Sequence, residues 1–321
     1  MTNTSNKMYY AKSVEWDSKA GVRSNPQDYN LNLSKENDKN GSAKSWHLDS
    51  YSAILSHDEL SSLSEEDKEF VRGTQLLEFV TKQAVFEVDC VNFVANKLAL
   101  GKYKYTLTEN IRLDAFKVYT DEGYHAYYTQ KIANQIRDHY GIGESDIDPY
   151  IKGYFEKIDK LVSQFGEQHT ELCMLVLVIA AEAQIVSDIS REMKQIVHEP
   201  IRVMFKDHMI DEAFHAQFFH LVFENVWPQL SAEEAEIMGK MFCDAMVILA
   251  TPRVDIYYYS LAKLGIQKEV ITRCISDTYH TQEWRTTRIK ERMVPTVNLL
   301  RKNGVFENKK ILNIFQDREF V

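Results

Sequence analysis

The chain has 321 residues, 44% of them hydrophobic and 26% charged, with a formal net charge of −9. These are the proportions of a globular protein with a sizeable core, and the acidic balance argues against nucleic acid or an anionic membrane as the main partner. Only 12 Gly and 6 Pro punctuate it, which favours long helices over a turn-rich β fold.

Residues 1–60 are rich in Asn, Ser, Asp and Gly without helical period, and are expected to form a polar, partly ordered N-terminal arm. Residues 61–321 are expected to form one all-α domain. Hydrophobic periodicity predicts helices over 64–100, 108–140, 150–165, 168–195, 199–226, 231–263 and 267–302. Gly101, Gly141, Gly166 and Gly265 each follow a periodic segment, as C-terminal stops do. Ser231-Ala-Glu-Glu234 reads as a capping box, and Pro200 fits a first helical turn. Pro252 and Pro295 are expected to kink or break their helices.

Cys90, Cys173, Cys243 and Cys274 have no CxxC spacing, which fits reduced thiols in a cytoplasmic protein. The N-terminus lacks an apolar signal core, and the longest apolar run, LCMLVLVIAA, is too short to span a bilayer.

The helical stripes carry charge where none is expected. Leu77, Val80, Ala84, Glu87, Val91, Val94 and Leu98 step by three and four, so Glu87 faces inward. Likewise Glu122 and His125 lie on the stripe of 108–140, Glu182 on that of 168–195, and His208, Glu212 and His215 on that of 199–226. Four buried carboxylates without Lys or Arg are prohibitive unless neutralised. Their charge of −4 matches two divalent cations, and imidazole is a neutral ligand for iron, with manganese also compatible. Glu-x-x-His places both groups on one helical face, and a Glu from each of two helices plus Glu-x-x-His from two others is the ligand plan of the ferritin-like di-metal four-helix bundle.

Asp121 and Asp211 each precede a ligand Glu in DEGYH and DEAFH. Each is expected to accept a hydrogen bond from the other motif's histidine, Asp121 from His215 and Asp211 from His125. In the basic segment TQEWRTTRIKER, Arg285 or Arg288 is a candidate to hold a substrate carboxylate. The tyrosines at 257–259 and the phenylalanines near 214–219 read as packing and not as a cofactor box, with some of them candidates to line a substrate pocket.

With His208 included, the ordered set Glu87, Glu122, His125, Glu182, His208, Glu212, His215 resembles the p-aminobenzoate N-oxygenase family, the di-iron N-oxygenases of aureothin and chloramphenicol biosynthesis. The resemblance implies a ferritin-like di-iron core with flanking helices, commonly a homodimer. It further implies oxidation of a primary amine, aryl or aliphatic, with O2 and electrons from an external donor such as a reductase or ferredoxin. The product would be a hydroxylamine, or a nitroso or nitro compound in natural-product biosynthesis, with the substrate free or tethered to a carrier protein. Other readings of the same residues are a di-iron C–H hydroxylase or desaturase, a ferritin-like iron-storage protein, and a metal-free helical interaction protein.

Overall fold

The computed structural model describes residues 16–24, 28–31, 33, 46–47, 52–196 and 198–321, without the side chains of residues 24, 192, 282–286, 288 and 289. Thirteen α-helices are described: α1 Trp16–Lys19, α2 Gly21–Ser24, α3 Glu65–Phe86, α4 Asn92–Ala99, α5 Glu109–Tyr140, α6 Glu144–Ser163, α7 Thr170–Gln195, α8 Glu199–Val226, α9 Ala232–Ala250, α10 Ile256–Lys263, α11 Lys268–Tyr279, α12 Gln282–Lys302 and α13 Lys309–Asp317. Among the described residues the one β feature is an isolated bridge, His47 to Ile196.

The core is a four-helix bundle. α3 and α4 run along α5, α7 runs along α8, and α5 against α8 joins the two pairs. α9 and α12 cover the outer side of α7, α13 packs on α9, and α10 packs on α3 and α11. Local signals explain the boundaries. Ser64 accepts from the backbone N–H of Asp67 and the Asp67 carboxylate accepts in return, a capping box that starts α3. Ser231 and Glu234 do the same for α9. Gly141 ends α5 in the left-handed region (φ 63°), which a Cβ would disfavour.

The structure meets the expectation at Pro252 and departs from the others at several points. The 231–263 segment breaks at Pro252 into α9 and α10, as the proline's missing donor requires. The 267–302 segment divides at His280 and Thr281, while α12 runs on through Pro295, where no break occurs. Arg292 pairs with Asp188, and Thr296 lies 3.4 Å from Gln184 Nε2, so contacts to α7 on both sides of Pro295 hold that turn in place. α6 begins at Glu144, with Pro149 in its second turn, and α13 follows the last expected helix.

A π turn, Glu87–Val91, separates α3 from α4. Regular stepping of apolar residues continues across it, so the periodicity conceals the extra residue. Such turns gather at functional sites, and this one starts on an inward carboxylate.

The core divides along the bundle axis. One apolar cluster contains Val94, Leu98, Ile111, Val178, Phe219 and Val222; the other contains Leu77, Val80, Ile132, Ile136, Ile201 and Met204. The charged stripe residues lie between these two halves in chain order on every core helix. The stretch Glu167–Gln195 holds an 18-residue window long and apolar enough by composition to cross a membrane (mean hydropathy 2.0), yet 67% of that window is buried against protein. Its apolarity is that of a core helix with neighbours on all sides.

Among the first 60 residues, Tyr29, Leu31, Trp46, Ile54, Leu55 and Leu60 are buried. Trp46 donates through Nε1 to the Tyr140 hydroxyl at 2.6 Å, and both rings press on Gly73 of α3. A Cβ at Gly73 would lie 2.4 Å from Tyr140 Cε2 and 2.8 Å from Trp46 Nε1. Gly73→Ala is therefore expected to cost about 1–3 kcal/mol by overpacking, read as a lower denaturant midpoint at unchanged slope. An unchanged midpoint would show that the arm yields without cost.

Candidate metal centre

Seven side chains meet in the middle of the bundle, all at most 3% exposed: Glu87, Glu122, His125, Glu182, His208, Glu212 and His215. Two quartets of potential ligand atoms form, each with all its atoms within 4.8 Å of one another. One is Glu87, His125, His208 and Glu212; the other is Glu122, His125, Glu212 and His215. His125 and Glu212 belong to both. Glu182 of α7 lies outside both quartets, but hydrogen-bonds to Glu212 and feels the charge of Glu122.

The two Glu-x-x-His histidines face the centre through the same nitrogen. His215 Nδ1 lies 2.8 Å from Glu122 Oε1, and His125 Nδ1 lies 3.3 Å from Glu212 Oε1. Their Nε2 atoms point outward, His215 to Asp121 Oδ2 at 3.3 Å and His125 to Asp211 Oδ2 at 3.2 Å. Each aspartate thus meets the histidine of the other motif across the α5–α8 contact. A carboxylate on one ring nitrogen fixes the tautomer and leaves the other nitrogen's lone pair for a ligand. His208 differs: its Nε2 faces Glu212 Oε1 at 2.7 Å and Glu87 Oε1 at 3.2 Å.

Many of these atoms have no hydrogen-bond partner. Both oxygens of Glu122, one oxygen each of Glu87, Glu182 and Glu212, and Nδ1 of all three histidines are buried and unsatisfied. In the case of His215 and Glu122 the atoms are close but poorly aligned for a hydrogen bond, as groups converging on a shared cation would be. Orphaned buried carboxylates and imidazoles in this number are costly in a bare core, and a pair of divalent cations would satisfy them. The donor set of carboxylate and imidazole fits iron, with four negative charges to balance two dications.

Metal-free electrostatics are correspondingly tense. Burial pushes the Glu182 carboxyl well above its usual range, with Glu212 and Glu122 adding to it, and burial raises Glu87. Burial opposes the charged form of His125, but the Asp211, Glu122 and Glu212 carboxylates override it and hold the imidazole well above its ordinary value. For His215, Glu122, Glu212 and Asp121 likewise outweigh burial. Glu212, though buried, is held well below the usual carboxylate range by His215, His125 and His208.

Sequence reasoning did not single out four further groups. Gln83, one turn before Glu87, donates through Nε2 to Glu87 Oε1 at 2.9 Å. The i,i+4 spacing is the signal that was available. Tyr128 packs its ring 5.6 Å from His125 and 5.7 Å from His208, and its hydroxyl is buried without a partner. Burial holds that phenol protonated, far above its normal range. Trp16 and Gly21, from the polar N-terminal segment, reach Asp121 and Asp211. No local pattern marks them. Asp89, two residues after Glu87 and on another face of the helix, is exposed. Arg285 and Arg288 fall on α12, and their side chains lie outside the described residues.

A cavity of about 230 Å³ has Gln83, the hydrogen-bond donor to Glu87, in its wall. Lys82, Arg253 and Arg292 line it together with Glu78 and Asp188. Arg253 pairs with Glu78 at 2.8 Å, and Arg292 with Asp188. Lys82 has no acid within ion-pair distance among the described residues; its ammonium lies 5.4 Å from the Phe79 ring and 5.5 Å from the Tyr154 ring. Burial and the Arg253 guanidinium lower it to about 7, against the pull of Glu78.

No curated protein matches the chain. The family model of the p-aminobenzoate N-oxygenase AurF matches residues 10–298, a span that takes in all four core helices and every residue of the centre. With its helical ferritin-like fold, the chain belongs to the p-aminobenzoate N-oxygenase AurF family and is an oxygen-dependent di-iron N-oxygenase.

Proposed function

We propose that Glu87, Glu122, His125, Glu182, His208, Glu212 and His215 hold two iron ions, and that the adjoining cavity presents a primary amine to them. The observation that carries this is the set of buried, unsatisfied carboxylate and imidazole atoms converging in two overlapping quartets. The reaction is R–NH2 + O2 + 2e⁻ + 2H⁺ → R–NHOH + H2O, with the electrons from an external donor. When bound, the irons supply the redox chemistry that activates O2.

The chain's own residues do the rest. Asp121 and Asp211 hold His215 and His125 with Nδ1 inward. Gln83 fixes one oxygen of Glu87 and also forms cavity wall, which makes it the boundary between ligand and substrate. Phe79 and Tyr154 give the cavity an apolar aromatic side, where a neutral amine loses little by leaving water. Lys82, aimed at the cavity without a paired acid, suits an anionic group at the far end of the substrate, as in p-aminobenzoate.

The test is Fe(II)-loaded protein with p-aminobenzoate, O2 and a chemical reductant, read by product mass and structure. N-Hydroxylated product is expected; oxidation at carbon alone overturns the proposal. Lys82→Met is expected to raise KM for p-aminobenzoate about tenfold, as loss of a charged hydrogen bond does, and to spare an amine without the carboxylate. The wild-type KM for p-aminobenzoate should rise as pH passes above about 7, where Lys82 loses its charge, and the variant should lack that rise.

A further inference from the structure

The helices α1 and α2 form a short strap that lies against α5 and α8. Trp16 of α1 donates its indole Nε1–H to Asp121, 3.0 Å from Oδ1 and 2.9 Å from Oδ2. Gly21 of α2 donates its backbone N–H to Asp211, 3.2 Å from Oδ2 and 3.4 Å from Oδ1. These are the two aspartates that meet His215 and His125. The strap therefore touches the two Asp-Glu-x-x-His motifs at their equivalent positions, with donors five residues apart in sequence.

We infer that the strap is a working part of the metal centre, with Trp16 and Gly21 as positioning residues that hold Asp121 and Asp211 and, through them, the His215 and His125 rings. This rests on the proposed metal site.

A carboxylate held from one side alone can turn about its last torsion, and the imidazole it holds turns with it. A second donor, which reaches both oxygens of the same carboxylate, restrains the carboxylate plane. The strap supplies that donor twice, once to each motif. Asp121 and Asp211 are 2% and 4% exposed, so a lost donor is not readily replaced by solvent.

Gly21 carries an independent sign of this purpose. A Cβ there would lie 2.8 Å from Asp211 Oδ2 and 3.9 Å from Tyr124 Cε1. Its φ lies outside the left-handed region, so glycine is not required by the backbone. It is required by the close approach of the main chain to the carboxylate.

The experiment uses the full chain and anaerobic Co(II) titration, read by visible ligand-field absorption, with Fe(II) binding measured in parallel. Trp16→Phe keeps the aromatic ring and removes the donor; Gly21→Ala keeps the donor and displaces it. Val22→Ala, on the same helix as Gly21, trims a half-buried side chain of the strap and removes neither donor.

Trp16→Phe and Gly21→Ala are each expected to raise the Co(II) dissociation constant by about tenfold or more, the range seen when groups behind metal ligands are removed. Their absorption bands should shift, and Val22→Ala should match the unmodified protein in both readings. Unchanged bands and affinity in the first two variants overturn the inference, as does an equal effect from Val22→Ala. If Gly21→Ala alters helix content by circular dichroism, Trp16→Phe alone decides. An unmodified protein that binds neither Co(II) nor Fe(II) overturns the proposed metal site and this inference together. Metal bound equally well by all four proteins overturns only the inference.

Discussion

Replacement of Glu212 by alanine is expected to empty both metal positions at once. Glu212 is shared by the two quartets, its oxygens lying 2.7 Å from His208 Nε2, 3.3 Å from His125 Nδ1 and 3.5 Å from His215 Nδ1. It is also the carboxylate that the three histidines hold well below its usual range, so it is the principal anion of the metal-free centre. Without it, each quartet falls to three donors, and Glu182 loses its hydrogen-bond partner. Removing a group that merely orients a ligand weakens metal binding about 10–100-fold, so loss of a doubly shared ligand should exceed the upper figure. Metal analysis after anaerobic Fe(II) loading should fall from about two ions per chain to nearly none, and N-oxygenation with it. A variant that retains two ions would remove Glu212 from the centre.

The second large effect is more selective. His208 belongs to one quartet only, with Glu87, His125 and Glu212, while the quartet with Glu122 and His215 does not use it. His208→Ala is thus expected to leave about one tightly bound ion per chain where the parent holds about two, and to abolish N-oxygenation. Glu87 would keep its bond from Gln83 but lose the imidazole 3.2 Å away. Full retention of two ions with unaltered spectra and turnover would make His208 a packing histidine. Comparison with Glu212→Ala separates the two positions, since one substitution should empty both and the other a single one.

The placement of Glu87, Glu122, His125, Glu182, His208, Glu212 and His215 in one interior was legible because burial and helical phase are local properties. A stripe of period 3.6 identifies its inward face without knowledge of the partner helix, and a carboxylate on that face demands compensation wherever it folds. The meeting of Asp121 with His215 and Asp211 with His125 was also within reach, since two copies of one motif on adjacent helices can satisfy each other.

Other features depended on packing between distant segments. Gly265, the break at Pro252 and the capping box at Ser231 are local, but uninterrupted helix through Pro295 depends on contacts with α7. The π turn at Glu87 adds one residue without disturbing the apolar stepping, so nothing in the pattern reports it. That His125 and His215 face the centre through Nδ1, that His125 and Glu212 belong to both quartets, and that Glu182 lies outside both are matters of side-chain geometry between four helices. The cavity beside Gln83, with Lys82 in its wall, forms from α3, α6, α7, α11, α12 and the α9–α10 break.

The sequence alone determined the helical bundle, the inward stripes and the carboxylates and imidazoles they carry into the core, because each follows from spacing along one helix and the cost of burying charge. Tertiary structure decided which atoms meet, which space stays open and which remote segment closes on the site. Trp16 and Gly21 belong to the second group. They act across 105 and 190 residues of sequence on Asp121 and Asp211, and a polar segment without period carries no local trace of such contacts.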